Sequence, residues 1–509
     1  MYEDLSLSYA ASDLPSIQLG RGVLQGKLLN EVPVNLVLKS FNRHGLIAGA
    51  TGSGKTKTIQ VLSEQLSLQG VPSLVMDIKG DISGLAAKGE ASARLVERAS
   101  DLNLEFKPRA FPVEFLSLHE DGEGIPLRAA IHDFGPLLFA RMLDVNDTQA
   151  GVITILFEYA KLNNLTLIAL GDIKALLQYA QTVEGKAEIE KDFGGVSAAT
   201  IGALMRKIIE LESQGGDSFF GAPAFNVMDL IRTTVEAQGI ISILRLLDMQ
   251  DKPKVFSTFM LKFLSDVYKQ MPELGDPVKP RLVLFIDEAH LIFSNASKPL
   301  LNLLETIVKL IRSKGVSLIF CTQTPNDIPD TILSQLGLKI QHALRAFTAK
   351  DRKAMKLVAQ NFPPTHYYDT ETLLTSLGIG EALISGLDVK GQPTPLIQCL
   401  VRAPESRMGV LSIEEIRRIV GMSMLMARYA IRIETNSAAK VLALKRVAKQ
   451  EASIQTKSKV TEETMVEKLG KSVLFRQIIR QIMKEFLNAI LIAIGLKKRR
   501  ASPKLNKRQ

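Results

Sequence analysis

The sequence predicts an α/β protein built on a mainly parallel β-sheet, and two patterns together with the composition carry that prediction. Short apolar runs at 44–50 (HGLIAGA) and 73–79 (SLVMDIK) flank a helix-like stretch at 56–70 that ends on Gly70. The same order recurs at 281–290 (RLVLFIDEAH) and 316–324 (VSLIFCTQT), around residues 300–315 (LLNLLETIVKLIRSKG). Parallel strands need a long crossover between them, and helices packed on the sheet faces supply it. Over 509 residues, 46% hydrophobic and 23% charged residues are the proportions of a globular protein of two to four structural units. Disordered, collagen-like and disulfide-scaffold classes are excluded.

In chain order, residues 17–40 alternate Val and Leu with Gly and read as two or three short strands, a small β segment over 1–40. The first strand–helix–strand unit belongs to the first part of a core at 41–127. Residues 128–235 carry helical spacing of apolar residues, as in GPLLFARMLDVNDTQAGVITILFEYA and AATIGALMRKIIELESQG, and are expected to form a helical insertion. GIISILRL at 239–246 returns the chain to a buried strand, followed by a helix through KVFSTFMLKFLSDVYKQM, so the second part of the core is expected at 236–404. Further strands are expected at 339–344 and within 379–402. From 405 to 509 the pattern changes to long helices joined by a polar stretch at 447–468, which reads as a helical, basic tail.

The formal net charge is +10, and the seven Lys and Arg of residues 492–509 account for all but +3 of it. The body is therefore nearly balanced, which weakens charge alone as a nucleic-acid footprint. Cys321 and Cys399 both lie in apolar runs, so neither a disulfide framework nor a cysteine-rich zinc site is expected. The acidic, polar N-terminus lacks the features of a secretory signal, no segment reaches the roughly 18 apolar residues of a spanning helix, and a cytoplasmic protein is expected.

Residues 49–56 satisfy GxxxxGK[ST] between an apolar strand and a helix, the context a phosphate-binding loop requires. Gly49, Ala50, Thr51, Gly52, Ser53 and Gly54 turn backbone amides toward phosphate oxygens, and the following helix aims its positive end at them. Lys55 is expected on the β and γ phosphates, Thr56 on Mg²⁺, and Lys57 beside them at the helix start. Residues 282–288 form an apolar strand ending in two carboxylates: Asp287 is expected to anchor Mg²⁺ and Glu288 to orient the attacking water. Gln323 ends the next strand, where it is placed either to contact the γ phosphate or to cap a turn. Asp77 and Asp81 are expected beside the nucleotide or in a solvated turn. Arg312 and Arg345 are candidates for an arginine finger, with a surface salt bridge as the alternative for each.

Rival assignments fare worse. Residues 77–80 match the short GTPase pattern DxxG, but the guanine-reading NKxD is absent. Residues 287–290 spell DEAH without the Arg-rich segment that accompanies it in helicases of that name, so His290 is expected to be a packing or supporting residue.

Together FNRHGLIAGATGSGKTKT, MDIKGDISGL, LVLFIDEAHLIF, LIRSKGVSLIFCTQTPNDIPD, LGLKIQHALRAFT and GIGEALISGLDVKGQPTP resemble the bacterial HerA-like P-loop ATPases over residues 15–405. The resemblance implies a RecA-like fold of the additional-strand type shared with DNA pumps, with Gln323 as the polar residue following the acidic strand. It also implies use of ATP and Mg²⁺, a hexameric ring around double-stranded DNA, a nuclease partner, and a finger role for Arg345 or Arg312. Only about 40 residues precede the phosphate loop, so the full β-barrel with which HerA proper begins is not expected here. A second reading is an ATPase driving a protein or membrane-associated assembly. It rests on residues 486–496 (FLNAILIAIGL) and the following Lys497, Lys498, Arg499 and Arg500, which suit either an interfacial helix on anionic lipid or a helix packed on the body. A nucleotide-dependent switch without motor activity is the third.

Overall fold

The computed structural model describes residues 3–11, 13–120, 123–247, 249–294, 298–346, 348–433 and 437–459. Its strands are β1 (Ser16–Leu24), β2 (Lys27–Val37), β3 (Gly45–Ala48), β4 (Ser73–Asp77), β5 (Val113–Ser117) and β6 (Ile125–Pro126). They continue with β7 (Ile241–Arg245), β8 (Leu282–Ile286), β9 (Val316–Thr322), β10 (Leu338–Gln341), β11 (Glu381–Ser385) and β12 (Ile397–Val401). All belong to one sheet in the order β2-β1-β12-β11-β10-β3-β9-β8-β4-β7-β5-β6. From β10 to β6 every pairing is parallel, and from β10 to β2 every pairing is antiparallel.

The burial patterns explain the division. Every residue of β3, β4, β8 and β9 is buried, as strands covered on both faces require. β2, at the sheet edge, is only partly buried and carries Pro33, a residue an edge strand tolerates because no ladder donor is needed on its outer side. β9 lies between β3 and β8, so a strand is added between the one leading into the phosphate loop and the one ending in the carboxylates. Its C-terminal end therefore reaches the same edge as both.

Between β6 and β7 the chain forms helices Ile131–Met142, Asp147–Leu162, Leu170–Tyr179, Val183–Phe193 and Ala198–Ser213. Asn146, Thr182 and Ser197 cap three of them with side-chain oxygens. Phe139, Ile153, Leu156, Ile173, Leu204 and Ile208 bury their apolar faces together.

The composition change at residue 405 is not a boundary in space. The first compact unit runs Met1–Val441, and the segment expected to be one long helix is broken into Ile413–Met422 and Met424–Tyr429 with Ser423 between them. Arg128, buried, donates to the Tyr429 carbonyl at 2.7 Å, which ties this segment to the body. The second unit, Leu442–Gln509, contains most of helix Ala438–Lys459. Residues 486–496 and the four cations after them lie outside the described residues. Among the described residues no helix is long and apolar enough to cross a membrane.

Candidate nucleotide site

The phosphate loop hangs from the ends of two neighbouring strands. Gly49 N–H donates to the Thr322 carbonyl at the end of β9 (3.3 Å), and Ala50 N–H donates to Ala343 just past β10 (2.8 Å). A Cβ on Gly49 would lie 2.6 Å from the Cβ of His342, so only glycine allows the strand end to approach this closely. Helix Lys55–Leu68 starts at Gly54 with no side chain capping it, which leaves its first amides for a ligand. Lys55, buried, folds its ammonium onto the loop carbonyls of Gly49 (2.6 Å) and Ala50 (3.2 Å), and burial lowers its pKa, with the Lys79 charge adding to the effect.

His342 props the loop from behind. Its Nδ1–H donates to the Glu381 carbonyl (2.8 Å), leaving Nε2 to accept from the Thr58 hydroxyl (2.9 Å). Burial pushes this imidazole down to about 4 and keeps the ring neutral.

Across the sheet edge, β8 delivers Asp287 and Glu288, only 4% and 3% exposed. Glu288 sits at φ +46°, a backbone region costly for a side chain with a Cβ, where it turns its carboxylate back over the strand ends. One of its oxygens pairs with the Lys79 ammonium and the other with His290 Nδ1 at 3.1 Å. Burial, reinforced by the Glu288 charge, pushes the Asp287 carboxyl up to about 7, and its Oδ2 has no hydrogen-bond partner among the described residues. Thr56 Oγ1 donates to Asp81 Oδ2 at 3.1 Å, while Asp81 Oδ1 is likewise unpartnered.

These oxygens fit Mg²⁺. A hydroxyl and one or two carboxylates, completed by water and substrate phosphates, are the donors Mg²⁺ takes in nucleotide sites. Among the described residues no group of three or more His, Cys, Asp or Glu could hold a metal ion by itself.

Lys55, Thr56, Asp287, Glu288 and Gln323 thus all lie at one edge of the sheet, at or just beyond the C-terminal ends of β3, β8 and β9. Gln323 is exposed and lines a cavity of about 610 Å³ with Ala50, Thr51 and Arg345. Arg345 is therefore near the loop of its own chain. Arg312 precedes β9, at the opposite end from Gln323, and pairs with Asp276 at 3.6 Å. Lys57 turns away: its ammonium donates to the Met408 carbonyl (2.5 Å) and to Gln60 Oε1 (3.0 Å). It borders a second cavity, of about 540 Å³, that begins at Gly54 and continues between Leu95, Gly380, Leu400 and Met408. Asp77 is wholly buried and holds its turn by accepting from Gly80 N–H (2.7 Å) and Ile82 N–H (3.4 Å), so it is neither solvated nor free for a ligand. His342 and Lys79 escaped sequence reasoning. Lys79 stands between two singled-out aspartates, but its contact with Glu288 depends on β4 lying beside β8, which spacing does not reveal.

Residues 23–485 match the model of the family described as Helicase HerA-like C-terminal. The DNA double-strand break repair helicase HerA of Saccharolobus solfataricus is 25% identical over 374 residues, covering 73% of this chain and 67% of that protein. Its counterpart from Sulfurisphaera tokodaii is 26% identical over 366 residues, covering 71% and 66%. The chain thus spans about two thirds of the length of these relatives. Among solved structures, the bacterial conjugative coupling protein TrwBdeltaN70 superposes with a TM-score of 0.50 at 14% identity, covering 79% of this chain and 98% of that one. Plasmid coupling protein TrwB in complex with the non-hydrolysable ATP analogue ADPNP gives the same score and identity, covering 79% and 99%. Both likenesses show the fold, and the family match runs through every element that builds the site. The chain therefore belongs to the family described as Helicase HerA-like C-terminal and is a P-loop ATPase.

Proposed function

We propose that the protein is an ATP-driven motor that assembles as a hexameric ring and moves double-stranded DNA. The observation that supports the reading is the placement of β9 between β3 and β8, with Gln323 at its end lining a cavity together with Ala50 and Thr51 of the phosphate loop. At the end of that strand Gln323 borders the cavity lined by Ala50 and Thr51, within which a terminal phosphate could meet it. The HerA relatives are named for DNA double-strand break repair and helicase activity, and the two TrwB structures as a conjugative and a plasmid coupling protein, so DNA as the polymer is taken from the HerA relatives.

Within the site, Lys55 exchanges the Gly49 and Ala50 carbonyls for phosphate oxygens, and the first amides of helix Lys55–Leu68 join it. Thr56 and Asp287 hold the metal, with Asp81 as an adjoining acceptor. Mg²⁺ supplies neutralisation of charge on the phosphates. Glu288 orients the attacking water, Gln323 contacts the terminal phosphate, and the cavity beginning at Gly54 receives the nucleoside. Arg345 lines the cavity of its own chain and is assigned to the protomer's own site, whereas Arg312 can reach a nucleotide only on a neighbouring subunit.

A triplex-displacement assay tests the motor reading. The protein with ATP is expected to strip a third strand from duplex DNA, and Glu288→Gln is expected not to. Hydrolysis without displacement on any duplex would refute the translocase reading. The membrane-associated alternative rests on the tail beyond residue 459, and no observation on the described residues favours it.

A further inference from the structure

The turn at 77–82 touches both halves of the ATPase site. Asp77 fixes it by accepting from the backbone of Gly80 and Ile82, and Leu247 closes it from outside, since a Cβ on Gly80 would lie 2.7 Å from Leu247 Cδ2. From this one rigid turn, Asp81 holds the hydroxyl of the metal ligand Thr56, and Lys79 holds Glu288. The remaining Glu288 oxygen is held by His290. Neither contact is a hydrogen bond, so Glu288 is held by charge pairing with the Lys79 ammonium and by the imidazole close to its other oxygen, and these groups stand where a water would have to be oriented.

We propose that Lys79 is a positioning residue that keeps Glu288 disengaged while Thr56 is bonded to Asp81. Transfer of Thr56 from Asp81 to the metal leaves the Asp81 carboxylate to draw the nearby Lys79 ammonium within the fixed turn, and Lys79 then lets go of Glu288. The contact is therefore a brake that ties hydrolysis to a completed site and limits turnover by the idle motor. This rests on Glu288 being the water-orienting residue. It differs from a plain neutralising pair in one respect: the Lys79–Glu288 interaction must weaken when nucleotide and metal are bound.

The test combines a double-mutant cycle with steady-state kinetics. Melting temperatures of wild type, Lys79→Met, Glu288→Gln and the double variant are measured without nucleotide, then with Mg²⁺ and a non-hydrolysable ATP analogue. Strong coupling between the two positions is expected without nucleotide, and its loss is expected with the analogue. Basal ATP turnover by Lys79→Met without DNA is expected to rise roughly fivefold or more with KM for ATP within about twofold, and Lys79→Arg is expected to return it toward wild type. Coupling that persists unchanged with the analogue, or a fall in the basal rate of Lys79→Met, would overturn the proposal. Should Lys79→Met not fold, Lys79→Gln, which keeps a donor without the charge, carries the same comparison. Normal hydrolysis by Glu288→Gln alone would instead refute the assignment of Glu288, so the two failures are separable.

Discussion

At the scale of single residues, Lys55 and Glu288 separate binding from turnover. Lys55 is the buried cation at the loop, and Lys55→Ala is expected to weaken ATP binding by roughly a hundredfold or more, read by calorimetry. Glu288→Gln keeps the shape of the site and removes the charge, so ATP should still bind while turnover falls by roughly two orders of magnitude. His44 makes a pH prediction away from the chemistry. Its Nε2–H donates to the Val308 carbonyl (2.7 Å), and its Nδ1 accepts from the Leu318 N–H (2.9 Å), so only the neutral ring fits, and burial pushes its pKa down to about 4. Between about 4 and 6.5 the unfolded chain binds the proton more readily than the folded one, so the stability supplied by the neutral ring is complete above 6.5 and lost as pH falls through 4. The advantage of wild type over His44→Gln in urea unfolding should shrink by on the order of 3 kcal/mol across that window. Comparison with the variant is needed because Glu64, Asp77 and Asp287 are shifted upward and contribute the opposite slope. The loop residues and the carboxylates were legible because their chemistry demands a fixed local pattern. His342 and Lys79 were not, because each acts on a residue brought near only by strand order.

At the scale of elements, helix Lys55–Leu68 is gripped along its length by the chain after β12. Glu64, fully buried, accepts from Glu405 N–H (2.9 Å) and Ser406 N–H (3.0 Å), and Gln60 donates to Ser406 Oγ (2.6 Å). Glu64→Ala strands two buried amides and should cost about 2–4 kcal/mol in urea unfolding. ATP affinity should fall with it, because the same helix begins at the phosphate loop. Gly49→Ala probes the other end: the close approach of His342 leaves no room for a methyl, so nucleotide binding should be lost even where the protein folds. Of the strands legible in the sequence, β3, β4, β7, β8 and β9 are continuous apolar runs without a competing helical period. β5 was not, since Glu114 interrupts it and is paired with Arg232 at 3.0 Å, and β6, at two residues, carries no period at all. Helices Ala93–Asp101, Ala349–Gln360 and Thr370–Ser376 also went unread, being short and bounded by caps rather than marked by a long apolar stripe.

At the scale of the whole molecule, the two arginines differ in how copies of the chain would cooperate. If Arg345 acts within its own protomer, a mixture of Arg345→Ala with Lys55→Ala should show no recovered turnover. Arg312→Ala mixed with Lys55→Ala should recover a measurable fraction if Arg312 is supplied to a neighbour, because each mixed ring then holds some sites with both groups intact. The low charge of the body, with basicity concentrated beyond residue 491, means that affinity for DNA is a poor witness to motor function, since a basic tail binds DNA without moving it. Turnover is the better witness. The most direct measurement is ATP hydrolysis by the purified protein alone and with duplex DNA, single-stranded DNA or RNA, at low and moderate salt, with Glu288→Gln as control. The account predicts strong stimulation by duplex DNA that survives moderate salt and is absent from the control. Hydrolysis indifferent to every nucleic acid at both salt concentrations would contradict it.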